Sequence, residues 1–147
     1  MYRHREEPNF ASLAAALKAG HPDAIVAFNP GVRVPVVRGS EFDDYTAGEL
    51  TGDLPVAVWN PPVPSPWPAS PIPSSIDGAQ YHVLNFLGDW WGQGRPRFPD
   101  ELVVGYTRYV NAHGGVVTWD VPISPEGRVP EEFLAQLRPL KAAGAHP

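Results

Sequence analysis

The architecture turns on Gly114-Gly115-Val116-Val117-Thr118-Trp119-Asp120-Val121-Pro122. Val116 and Val117 make a short β-branched run of the kind found in strands covered on both faces. A helical pattern ends just before it at Gly114, and Pro122 closes it, because proline has no N–H to give a ladder. Trp119 and Asp120 therefore fall at the carboxyl end of a strand. In parallel α/β sheets that is where functional groups collect.

On the amino side of this strand, Pro99 opens a helix with Asp100 and Glu101 in its first turn, and Leu102, Val103, Tyr106 and Val110 form its apolar stripe. Before it, residues 79–87 have strand composition with polar Gln80, His82 and Asn85 interspersed. A glycine-hinged loop carrying Trp90 and Trp91 follows them. On the carboxyl side, the turn Ser124-Pro125-Glu126-Gly127 leads to a helix from Pro130 that buries Phe133, Leu134 and Leu137, with Pro139 kinking or ending it.

Near the amino end, the pattern predicts a helix over 9–19 burying Phe10, Leu13 and Leu17. A buried strand over 24–28 comes next, ending in the turn Asn29-Pro30-Gly31. Residues 32–37 make a poor strand, broken by Pro35. Residues 44–46 read as a short strand and 47–52 as a loop. The segment 55–75, with Pro61-Pro62-Val63-Pro64-Ser65-Pro66-Trp67-Pro68 at its centre, reads as one long extended loop. Strands alternating with helices predict a parallel α/β sheet of about four strands and three flanking helices. A chain that starts on a helix and alternates this way suits a partial (β/α)8 barrel in one domain over 1–147. A complete barrel needs roughly 250 residues.

Composition narrows the function. A net charge of −5 argues against a nucleic-acid partner, which calls for a basic face. No apolar run of about 18 residues exists, so no membrane partner is expected. The charged start Met1-Tyr2-Arg3-His4-Arg5 has no signal-peptide core, and compartment is left open. With no cysteine, thiolate catalysis and Cys-based zinc sites are excluded. The five histidines show no HxxxH spacing, so no metal is expected. No GxGxxG or Walker pattern occurs, and no cofactor is expected.

At residues 44–49, at 81–88 and at 114–122 the sequence resembles bacterial α-L-fucosidase-like glycoside hydrolases, in the carboxyl half of their catalytic barrel. Residues 10–31 are similar to the helix and strand preceding that half. The resemblance implies a (β/α)8 fold and retaining hydrolysis of α-linked fucose through two carboxylates. It also implies that the strand bearing the nucleophile is missing, so that the chain alone is inactive or belongs to a longer reading frame. Such a piece is expected to form a homo-oligomer or to pair with a missing barrel half.

Retaining hydrolysis places an acid/base about 5 Å from a nucleophile. Glu49 is the candidate acid/base, or else a solvated carboxylate in an acidic loop. Asp120 either orients a sugar hydroxyl or accepts N–H groups in a turn. Trp119 either stacks on a sugar ring or belongs to the core. His82 and Gln80 alternate onto one face and either line a site or serve structure. Asn29, in its turn, completes the candidate sugar contacts, together with Trp90 and Trp91 as an exposed aromatic platform. The competing expectation is a noncatalytic carbohydrate-binding or interaction module.

Overall fold

A computed structural model of the chain describes residues 8–52, 54–55, 57–58 and 70–143. In order the elements are α1 (Phe10–Lys18), β1 (Ala57–Val58), β2 (Ser70–Pro71), β3 (Ser75–Ile76), β4 (Ala79–Gln80), β5 (His82–Phe86), α2 (Asp100–Ala112), β6 (Val116–Asp120) and α3 (Glu131–Ala143). Among the described residues the strands form three two-stranded ladders, β1–β2 and β3–β4 antiparallel and β5–β6 parallel. The expected partial (β/α)8 barrel is therefore overturned, because among the described residues only β5 and β6 form a parallel ladder.

Most of the proline-rich stretch, including Pro61–Pro68, lies outside the described residues. Its flanks carry strand pairing rather than open loop, since β1 meets β2 there. The β3–β4 hairpin turns on Asp77-Gly78, at φ 50° and 86°. Two successive positive φ values match the twist of flanking strands, and Asp-Gly is a favoured pair for them.

The strand–helix–strand unit β5–α2–β6 is the part of the expected architecture that the fold contains. His82 pairs with Val116, Leu84 with Thr118 and Phe86 with Asp120. Alternation sends Tyr81, Val83, Val117 and Trp119 to the face packed by Tyr106 and Val110 of α2. A second cluster of Leu87, Val103 and Phe133 joins α2 to α3, with Trp119 packed against both clusters. Leu102 and Leu134, expected in buried stripes, are exposed. Gln136 takes a core place instead, its amide donating to the Phe98 carbonyl at 2.7 Å and to Asp100 Oδ1 at 3.1 Å. α3 continues through Pro139 to Ala143 rather than stopping there.

The two remaining expected strands run beside this unit without forming regular ladders. Residues 44–50 lie parallel to β4 and β5 through bridges at Tyr45–Gln80 and Glu49–Leu84. Between these bridges a side chain does the pairing: Thr46 Oγ1 donates to the His82 carbonyl (2.7 Å) and accepts the His82 N–H (2.9 Å). Gly48, at φ 61°, lies so close to the His82 carbonyl that a Cβ would overlap it. Residues 24–28 are held by carboxylates: Val26 N–H donates to Asp44 Oδ2 at 2.8 Å and Phe28 N–H to Asp43 Oδ1 at 3.1 Å. Buried Asp43 also accepts from the Gly39 and Ser40 N–H groups and the Ser40 hydroxyl, so its two oxygens gather four bonds. Helix α1 is capped by Asn9, whose side chain accepts from Ser12 N–H. Its expected buried stripe is a further correction: Ala14 is its buried residue, while Leu13 and Leu17 stand 45% and 59% exposed.

Candidate functional site

The face of the parallel pair opposite α2 carries a groove of about 400 Å³. Its apolar surface comes from Ile25, Leu84 and Val116, with the Tyr45 ring beside them. Its polar groups are Gln80, His82 and Thr118. All but Ile25 reach this face through strand alternation and register: Tyr45 bridges Gln80, His82 pairs with Val116 and Leu84 with Thr118. Among the described residues no Lys or Arg lines the groove.

His82 is half-buried at the centre. Its Nδ1 lies 2.8 Å from the Thr46 carbonyl oxygen and its Nε2 2.8 Å from Thr118 Oγ1. The Tyr45 ring meets the imidazole edge-on, with centroids 5.2 Å apart. Burial holds the His82 pKa below its ordinary value, against the opposing pull of the Thr46 and Ala47 carbonyls. Gln80 Nε2 donates to the Gly114 carbonyl at 3.3 Å.

Toward the carboxyl ends of the strands the register carries the same face on to Glu49, Phe86 and Asp120. Glu49 Oε2 accepts from the Asn29 amide at 2.7 Å, and Asn29 Oδ1 accepts the Gly31 N–H at 2.8 Å. Asn29 and Glu49 therefore do meet, with Asn29 fixed by its own turn. Asp120 Oδ2 accepts the Gly92 N–H at 2.6 Å and so ties down the loop of Trp90 and Trp91. Glu49 and Asp120 lie on the two segments flanking β5. Strand spacing and rise put their Cα atoms roughly 10–12 Å apart.

The two adjacent tryptophans divide. Trp91 packs edge-on against buried Phe86, at 4.8 Å between centroids, while Trp90, tilted against the same ring at 5.4 Å, is 53% exposed. Beneath them the Arg97 guanidinium stacks over Phe86 (3.9 Å) and Phe98 (4.3 Å) and donates to the Phe86 carbonyl and Asn85 Oδ1.

Trp119 is not in this site. It points to the α2 side, between Phe98 and Tyr106, and its indole N–H donates to Thr107 Oγ1 at 3.0 Å. Neighbours on a strand face opposite ways, so Trp119 and Asp120 cannot serve one ligand on one face. Thr118, Tyr45, Leu84, Val116 and Ile25 are the groove residues that sequence reasoning did not single out. Parity finds Thr118 once β6 is placed beside β5, because Thr118 shares the side of Asp120. Among the described residues no group of three or more His, Asp and Glu could hold a metal ion, and no helix is long and apolar enough to cross a membrane.

Compared with known proteins, the chain is matched by no family model and by no curated protein.

Proposed function

We propose that the open face of the β5–β6 pair binds a neutral saccharide. The observation that carries this reading is the make-up of the groove, in which an aromatic and apolar wall faces uncharged hydrogen-bonding groups with no cation among them. A sugar ring has the same two characters, C–H surface and hydroxyl edge. Phosphate or carboxylate ligands would find no positive partner there and would meet Glu49 and Asp120 at the carboxyl end. The volume of about 400 Å³ lies within the roughly 300–1,000 Å³ usual for small-molecule sites. Trp90, exposed at that end, extends the aromatic surface. The fucosidase resemblance makes α-L-fucosides the first ligands to test, and the methyl group of a 6-deoxy sugar suits Ile25, Leu84 or Val116.

Titration with methyl α-L-fucopyranoside, followed by NMR, tests the reading. Shift changes are expected at Tyr45, His82, Leu84 and Thr118, and Tyr45→Ala should weaken binding about tenfold. Changes confined to other surfaces overturn it. A chromogenic α-L-fucoside separates binding from hydrolysis. Turnover that disappears in Glu49→Gln makes the protein a hydrolase with Glu49 as acid/base, whereas binding without turnover, retained in Glu49→Gln and Asp120→Asn, makes it a binding module.

A further inference from the structure

The hydrogen-bond chain through His82 has a direction, and that direction constrains what the groove accepts. The Thr46 carbonyl can only accept, so the 2.8 Å contact at Nδ1 requires the proton on that nitrogen. In a neutral imidazole Nε2 is then bare and accepts. Thr118 Oγ1, 2.8 Å away, spends its hydrogen on Nε2. What Thr118 offers to the groove is therefore oxygen lone pairs alone. The Thr46 end is firmly held, because the Thr46 hydroxyl also grips both backbone groups of His82.

Resting on the saccharide reading, we propose that His82 is a positioning residue that makes Thr118 Oγ1 an obligate acceptor, so that the groove selects ligands presenting a hydroxyl hydrogen at that point. A ligand atom that only accepts, such as an ether oxygen or fluorine, meets lone pair against lone pair there. Thr118 is exposed in the free groove, so the cost arises on binding, when the ligand displaces the water that donates to Oγ1 and leaves no donor in its place. Burial favours the neutral imidazole on which this polarity depends.

Two measurements on the full chain test the proposal. Long-range ¹H–¹⁵N spectra of the ring at neutral pH should show the Nδ1–H tautomer of His82. The Nε2–H tautomer or a doubly protonated ring overturns the inference. In the second, affinities are measured for methyl α-L-fucopyranoside and for analogues with each hydroxyl replaced in turn by fluorine. One analogue should bind about tenfold more weakly than the parent in the wild-type protein, and that difference should vanish in Thr118→Val. His82→Gln, whose side-chain oxygen can accept from Thr118 as Nε2 does, should keep the discrimination, and His82→Leu should lose it. A fluorine penalty of equal size in wild type and Thr118→Val overturns the proposal. A parent sugar that fails to bind overturns the saccharide reading and this inference with it, whereas binding with the wrong tautomer overturns the inference alone.

Discussion

The two faces of the β5–β6 pair are made from alternate residues of the same strands, yet they are finished in opposite ways. Toward α2, Tyr81 and Val83 are 2% and 0% exposed, and the Trp119 N–H has its partner in Thr107. Burial drives the Tyr81 phenol up to about 12, a measure of how far water is excluded there. On the other face Val116 is 40% exposed, Ile25 is 71% exposed, and polar side chains are held in place by hydrogen bonds rather than by packing. Parallel strands are usually covered on both sides. One face of this pair carries stability; the other is covered at Phe86, under Trp91 and Arg97, and is left open for recognition from Gln80 to Leu84.

That contrast can be broken most directly at the core. Phe133→Ala, at a position with 0% exposure behind the covered face, should cost about 3–5 kcal/mol in denaturant unfolding. A loss below about 1 kcal/mol would mean that α3 is not part of the core. Trp119→Phe should follow at about 1–2 kcal/mol, because it removes the N–H donor to Thr107 and some packed surface. Sugar affinity should not change in this variant, and a loss of binding would return Trp119 to the site.

Acid sharpens the comparison on the open face. Because burial lowers the His82 pKa, the unfolded chain takes up the proton at a higher pH than the folded protein. The contribution is fully present above ~6.5 and is lost as pH falls from there through the folded value. His82→Gln should flatten this part of the stability profile, and an identical slope in both proteins would refute the assignment. Asp44 acts at lower pH. The Lys18 ammonium, at 2.7 Å, and the Val26 N–H hold its carboxyl below the ordinary value, so its contribution goes only in stronger acid. The smallest effect belongs to Val116→Ser, expected within about 0.5 kcal/mol in thermal unfolding although it changes the groove wall.

The β5–α2–β6 unit was legible because Val83, Val103, Tyr106, Val110 and Val117 carry their periods openly. The ring of strands was not. Extending the alternation to residues 24–28 and 44–50 assumed that apolar runs pair continuously through their peptides. The peptide hydrogen bonds there come singly or in isolated bridges, and Asp43, Asp44 and Thr46 supply side-chain oxygens where a ladder would run. The stripe of α1 misled for a related reason: periodicity shows which residues share a face, not whether anything lies against it. Parity alone puts Gln80 and His82 on one face, which is the groove face, and the ends of their segments bring Asn29 and Glu49 together. Of the two readings open for Trp119, the core one is where its side chain lies, and Thr118 carries no signal of its own between more conspicuous neighbours.

Thr46 ties the Tyr45 side of the groove to its floor through one alcohol that holds both backbone groups of His82. Serine and threonine suit that role, since cysteine, the other small side chain that gives and takes at a single atom, does both weakly. Between the peptide hydrogen bonds at Tyr45–Gln80 and Glu49–Leu84, the spacing of wall and floor is thus set by a rotatable group, and a single methyl-for-hydroxyl exchange, Thr46→Val, would act on the aperture without changing any residue that lines it.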